Sequence, residues 1–167
     1  LLLRLATPGV PDTYQGSEGW DLSLVDPDNR RPVDYAARRA WLDDPRDWPA
    51  LLRQWQDGAL KARLLATMLE LRAAHPRLFQ GRYTPQPAGT DVVAFLRGSG
   101  HQRLWAGALV GEGLLLPEAH WEARSLRLPV GHWREVLGGA RLGLDSPGNV
   151  PLSTLFARSP VAVWTTA

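Results

Sequence analysis

Residues 8–35 read PGVPDTYQGSEGWDLSLVDPDNRRPVDY, and the order of breakers and polar groups in this stretch decides how the chain around it is organised. Leu1, Leu2, Leu3 and Leu5 suit the last turns of a buried helix, and Pro8-Gly9 stops it. Pro11 confines the adjoining residues to extended geometry, so Asp12-Thr13-Tyr14-Gln15 reads as a short strand that ends at Gly16. From Ser17 to Arg31 the composition is polar, with Gly, Asp, Asn and Pro. That makes a long loop of functional character, not a simple turn. Pro32 can take the first position of a helix with Asp34 near its positive end, and the helix then runs over Val33–Leu42.

Working outward, Asp43–Pro49 interrupts with two prolines and several acids. The strongest helix comes next, Ala59–His75. Leu60, Leu64, Met68 and Leu71 share one face, Leu65 and Leu69 widen it, and Lys61, Arg63, Glu70 and Arg72 fall elsewhere. A stripe of this kind is core packing. Asp57 is its N-cap, and Arg72, His75 and Pro76 mark its end. After Gly81 the period changes to two. Strands are expected at Val92–Arg97, Arg103–Val110, Ser125–Val130, Trp133–Leu137 and Val161–Thr165, with Gly and Pro clusters between them. Short alternating strands with frequent turns point to an antiparallel β-sandwich or barrel-like module. The expected boundary lies near Arg82, giving a helical part, 1–81, and an all-β part, 82–167.

Composition narrows the function classes. The chain has 167 residues, 44% of them hydrophobic and 22% charged, enough to bury a core. No run approaches the roughly 20 apolar residues of a membrane span, and the opening leucines lack the flanks of a secretion signal. Net charge is only +2, and the arginines are interleaved with acids, so no basic stripe for nucleic acid is present. Cysteine is absent, which removes disulfides, thiolate metal sites and cysteine nucleophiles and is compatible with a reducing, cytoplasmic setting. His75, His101, His120 and His132 show no ligand spacing, and each reads as a surface or capping residue. No metal or cofactor is expected. Met68 is the only methionine and the chain starts at Leu1, so a fragment of a longer polypeptide is expected.

The Pro-Gly-Val-Pro turn, the segment ending Tyr14-Gln15-Gly16-Ser17-Glu18, and Asp26-Pro27-Asp28-Asn29-Arg30-Arg31-Pro32-Val33-Asp34-Tyr35 together carry a resemblance. The first part resembles the last barrel strand of the α-amylase superfamily, the glycoside hydrolase family 13 type. The continuation from Trp20 to Tyr35 resembles the maltooligosyltrehalose synthases within it. Arg72-Ala73-Ala74-His75-Pro76-Arg77-Leu78 is similar to the end of the closing barrel helix. The resemblance covers the whole chain, with its specificity concentrated at the start. It implies an α+β fragment, namely the last strand and helices of a (β/α)8 barrel, or TIM barrel, followed by an antiparallel β-sandwich C-terminal domain.

On that resemblance, residues 16–31 lie at the rim of the active-site face, because barrel enzymes place their sites at the C-terminal ends of strands. Tyr14 and Trp20 can offer flat faces to sugar rings. Asp12, Gln15, Glu18, Asp26 and Asp28 can accept from hydroxyls, as can Asp21, and Arg30 and Arg31 can donate or organise the acids. The alternative stays open that Asp26, Asp28, Arg30 and Arg31 pair among themselves and pin the loop, and that Tyr14 is a packed strand residue. The implied partner is a maltooligosaccharide, and the implied reaction is intramolecular transglycosylation from α-1,4 to α,α-1,1. The catalytic carboxylates of the superfamily come from earlier strands, so no catalytic residue is expected in this chain. Two other readings remain. One is a different α-amylase-type transglucosylase or hydrolase. The other is a non-catalytic glucan-binding β module using Trp105, Trp121, Trp133 and Trp164.

Overall fold

The structure is a computed structural model that describes residues 1–22, 32–99, 101–157 and 159–166. Helix α1, Leu2–Ala6, buries Leu2 and Leu5 and ends where the Thr7 N–H and Oγ1–H both donate to Leu3 O, at 2.9 and 2.8 Å. Asp12–Gln15 does not become a strand. The chain is irregular there and then turns at residues 15–18, with the Ser17 hydroxyl donating to Tyr14 O at 2.6 Å. A strand exists only through its ladder, and none of the described strands pairs with this segment.

Helix α2, Tyr35–Leu42, starts two residues later than the sequence suggests. The Asp34 carboxylate accepts from the Ala37 N–H at 2.9 Å, which makes Asp34 the cap and leaves Pro32 and Val33 outside. The expected break at Asp43–Pro49 itself starts helix α3, Trp48–Arg53, with Asp47 as N-cap and Pro49 in the first turn. A 3-10 turn at Trp55–Asp57 and the left-handed Gly58, φ +88°, lead into α4, Ala59–Ala74. Asp57 Oδ1 accepts from the Ala59 N–H at 3.0 Å, so it serves the helix start from one residue ahead of the formal cap. Leu64, Leu65 and Met68 are buried, whereas Leu69 is 43% exposed, so the apolar stripe is narrower than its spacing suggested. Helix α5, Pro76–Gln80, closes the helical part.

The remainder contains β1 (Arg82–Pro85), β2 (Val92–Ser99), β3 (Gln102–Leu109), a short helix α6 (Glu118–Glu122), β4 (Ser125–Leu128), β5 (Gly131–Glu135), β6 (Arg141–Leu144), β7 (Gly148–Pro151), α7 (Leu152–Phe156) and β8 (Val161–Thr165). Six strands form one antiparallel sheet in the order β1-β2-β3-β8-β5-β6, and β4 pairs with β7 in a separate two-stranded ladder. The middle strands are covered on both faces. Phe95, Leu104, Ala106 and Val163 pack in one cluster with Leu2, Leu5, Met68, Leu78 and Phe79 from the helices. Val92, Ala94, Trp105, Ala162 and Trp164 pack on the other side with Leu126, Val150, Leu152, Leu155 and Phe156.

The molecule is therefore mixed α+β, as its composition pattern implied, but its layers are not those of a plain two-sheet sandwich. One face of the large sheet carries helices, and the other carries the small β4–β7 ladder with α6 and α7. Gly107 makes the second layer possible, since a Cβ there would lie 2.3 Å from the Trp105 ring. The change in architecture falls at Arg82, yet one core spans it: Trp48 Nε1–H donates to Ser159 Oγ at 3.2 Å, and Arg97 on β2 donates to Ala6 O at 3.2 Å.

Candidate functional site

Gly19 and Gly58 allow the segment after Tyr14 to lie close against the helices. A Cβ at Gly19 would sit 2.5 Å from the Trp41 ring, and one at Gly58 would lie 3.4 Å from Gly19 Cα. The result is a cluster of aromatic and charged side chains drawn from residues 14–22, α2, the 3-10 turn and α4. Trp20 and Trp55 meet edge to face, with centroids 5.7 Å apart and planes at 84°. The Trp20 Nε1–H donates to Trp55 O at 2.6 Å, which fixes that angle. Both indoles remain half open, at 46% and 49% exposure.

Charged groups hold the cluster from beneath. Lys61 Nζ donates to Gly19 O at 2.7 Å and lies 5.6 Å from the Trp20 ring centroid. Burial pushes the Lys61 ammonium below its ordinary range, and the carboxylates of Asp21 and Glu18 act the other way. Arg38 spans the turn, donating to Gly16 O at 2.6 Å, Asp34 O at 3.1 Å and Glu18 Oε2 at 3.2 Å. Its guanidinium also stacks 5.4 Å from the Trp41 ring. A second network positions Trp55: Arg46 bridges Asp44 at 2.5 Å and Asp57 at 2.6 Å, and it donates to Gln54 Oε1 at 2.6 Å. That bonding holds the Asp44 carboxyl down at about 2.

The residues singled out from sequence divide into three groups. Gln15, Glu18 and Trp20 come together here, and each spends a polar group on the fold; Gln15 Oε1 accepts from the Tyr35 hydroxyl at 3.2 Å. Asp12 and Tyr14 stand apart in solvent. Asp12 is 91% exposed at its side chain and lies 3.7 Å from Arg4, and Tyr14 is 52% exposed, not packed in a strand. Asp26, Asp28, Arg30 and Arg31 lie outside the described residues. Trp55, Arg38 and Lys61 were not anticipated. One signal for Lys61 was available, because it is the single lysine of an otherwise arginine-based chain.

The strand half offers a different picture. Trp105, Trp133 and Trp164 are at most 1% exposed and Trp121 is 7% exposed, so the tryptophans that suggested a glucan-binding module are core residues. Two clefts open beside them. One, of about 380 Å3, has Leu109, Leu114, Trp121 and Phe156 in its walls. The other, of about 580 Å3, contains Asp91, His120 and Arg124. Arg124 grips Asp91 with two bonds, of 2.6 and 2.8 Å, and holds its carboxyl at about 2. Among the described residues no group of three or more His, Asp or Glu side chains could hold a metal, and no helix is long and apolar enough to cross a membrane.

No protein-family model matches the chain. Proteins of two strains of Mycobacterium tuberculosis, each provisionally named maltooligosyl trehalose synthase, are 42% identical to it over 167 residues, spanning 97% of this chain and 19% of theirs. A point mutant of maltooligosyltrehalose synthase from Arthrobacter ramosus superposes at TM-score 0.77 with 35% identity, over 99% of this chain and 21% of that one. A second structure of the enzyme from that organism gives 0.74 and 34%, with the same coverage. A third structure, also named maltooligosyl trehalose synthase, is 22% identical with TM-score 0.68 and speaks to the fold alone. The chain thus spans about a fifth of the length of the proteins it matches.

Proposed function

We propose that this chain, which belongs with the maltooligosyltrehalose synthases along its whole length and matches their C-terminal part, contributes a rim of the glucan site to an enzyme of trehalose biosynthesis. The parent converts the reducing-end α-1,4 linkage of a maltooligosaccharide to α,α-1,1 by intramolecular transglycosylation, a glucosylmutase reaction. Residues 1–81 supply the end of a (β/α)8 barrel and residues 82–167 the C-terminal domain. The observation that carries the reading is the half-open Trp20–Trp55 corner, beside the rim loop. A pyranose ring has an apolar C–H face and an equatorial belt of hydroxyls. It packs on an aromatic face while polar neighbours take the hydroxyls.

Retention of configuration requires a carboxylate nucleophile and a carboxylic acid about 5–5.5 Å apart across the scissile bond. The described carboxylates nearby do not meet that need: Glu18 is paired with Arg38, and Asp12 stands in solvent beside Arg4. Bond cleavage is therefore assigned to groups outside this chain. The task left for the rim is to keep the freed glucose in place and water out while the new bond forms. Trp20 and Trp55 suit it because they are rigid, apolar and already oriented by the fold. Asp12, Tyr14, Asp26, Asp28, Arg30 and Arg31 are the further candidates for sugar contact on this reading, and Gln15 and Glu18 retain acceptor capacity beyond their fold contacts.

The test uses the complete enzyme. Trp20→Ala and Arg30→Ala should raise free glucose relative to the trehalosyl product by several-fold, read by chromatography of the maltopentaose reaction. An unchanged product ratio would overturn the rim assignment. The 167-residue polypeptide alone should leave the reducing ends of maltopentaose intact. Loss of reducing ends with that polypeptide would show that it carries its own catalysts.

A further inference from the structure

On the opposite side of α4 from the charged rim, residues 8–10 and the α4–α5 corner border a cleft of about 480 Å3. Pro8, Val10, Phe79 and Gln80 form part of its wall, and its charged groups are Arg72 and Arg97. Arg97 is 4% exposed. It donates from Nη1 to Ala6 O at 3.2 Å and from Nη2 to the carbonyls of Phe79 and Gly81. Arg72 donates from Nη1 to Leu5 O at 2.7 Å and from Nη2 to Gly9 O at 3.1 Å. Both guanidiniums also lie near the Phe79 ring, 4.7 and 6.0 Å from its centroid.

All of those partners are neutral. Carbonyls and an aromatic ring solvate a cation, but they do not cancel its charge. Among the described residues no carboxylate forms an ion pair with either arginine. Burial, and then the charge of Arg72, push the Arg97 guanidinium below its ordinary range, as expected for two cations without a counterion. In addition, Arg97 Nε is buried with no hydrogen-bond partner. A buried donor of this kind is commonly completed by an ion or a water.

We propose that Arg72 and Arg97 form an oxyanion-binding site that takes a phosphate or carboxylate group into this cleft. A guanidinium presents five N–H donors in a planar fork that matches such groups. Arg97 still has Nε–H and one Nη1–H open, and Arg72 has its Nε–H. The ligand class is dictated by charge: a neutral sugar would leave both cations uncompensated, whereas one oxyanion compensates both. The site joins the carbonyl end of α1, the α5 end and β2, so occupancy links the helical part to the sheet. It is independent of the sugar-binding rim. The anion can come from solution, as phosphate or a phosphate ester. It can also be a carboxylate side chain of the longer protein, since the relatives extend well beyond the fifth matched here.

The experiment titrates potassium phosphate against potassium chloride at matched ionic strength, reading thermal midpoint and calorimetric binding. It is run on this polypeptide and on the full-length enzyme. One saturable phosphate site on the polypeptide is expected, with Arg72→Met weakening it about tenfold or more. Arg72 is the chosen variant because Arg97→Met removes a buried anchor, and circular dichroism checks that the fold survives. Stabilisation of both proteins by phosphate identifies a free anion as the ligand. Stabilisation of the polypeptide alone identifies a carboxylate of the longer protein as the occupant. Equal effects of phosphate and chloride on the polypeptide, or an unchanged response in Arg72→Met, would overturn the proposal.

Discussion

In the strand half, Trp105, Trp133 and Trp164 are at most 1% exposed, whereas Trp20 and Trp55 in the helical half keep 46% and 49% of their surface open. The residue type is the same, and so is the need to satisfy the indole N–H: Trp105 donates to Gln86 Oε1, Trp164 to Leu155 O and Trp20 to Trp55 O, at 2.8, 2.8 and 2.6 Å. The difference lies in the number of covering layers. The sheet has a packed layer on each face, so any residue on its middle strands is enclosed. The segment from Tyr14 to Leu22 leans on helices from one side only. An aromatic held by polar anchors with one face open is available for a ligand, and an aromatic enclosed on both faces contributes stability instead.

The largest expected break in that comparison comes from Trp105→Ala, which should cost about 3–5 kcal/mol in urea denaturation because the enclosing layers cannot collapse fully around the void. A loss below about 1 kcal/mol would mean the two layers are not tightly packed. Adding a methyl group probes the same contrast from the other side. Gly107→Ala drives a Cβ to 2.3 Å from the Trp105 ring, and Gly19→Ala drives one to 2.5 Å from Trp41. The clashes are alike, but Trp41 is only partly buried and can swing aside. Gly107→Ala should cost about 1–3 kcal/mol, and Gly19→Ala less than about 1 kcal/mol, by the same measurement.

Acid distinguishes the halves by their ion pairs. Asp91, paired with Arg124, and Asp44, paired with Arg46, each have a carboxyl held at about 2 against an ordinary 3.8. A depressed carboxyl contributes stability that is present above its ordinary value and lost as pH falls from about 4 through about 2. Asp91→Asn and Asp44→Asn should each flatten the thermal midpoint over that window, and neither should change its slope above about pH 5. A mutant whose acid limb matches the parent would show that its pair does not differ between folded and unfolded chain. The smallest effect is reserved for Trp20→Ala, within about 0.5 kcal/mol of the parent in stability, as for other open surface positions. A larger loss would make Trp20 a structural residue and weaken its place at the rim.

Much of the local structure was legible. Val161–Thr165 forms as a strand over the same residues that its alternation marks, and the α4 pattern predicts its helix to within one residue. Asp57 does hold a free N–H at that helix start. These features depend on neighbours within a turn or two. Three four-residue strands, β1, β6 and β7, were not legible, because so short a run has no distinctive period and exists only beside its partner. The reverse error occurred at Asp12–Gln15, where extended propensity meets no partner and remains irregular. Trp55 was missed for a related reason. Its position depends on Arg46 reaching both Asp44 and Asp57, a link invisible until the chain is folded.

The sequence by itself therefore determined where helices begin and end, where the period changes from helix to strand, and, through residues 8–35, which family the chain resembles. Those properties reside in local sterics, capping and side-chain order. Only the tertiary structure decided which tryptophans are enclosed and which stay open, which extended segments gain a ladder, and that Arg72 and Arg97 share one cleft without a described counterion. Burial, pairing and charge compensation are supplied by segments distant in the chain, and no local pattern specifies them.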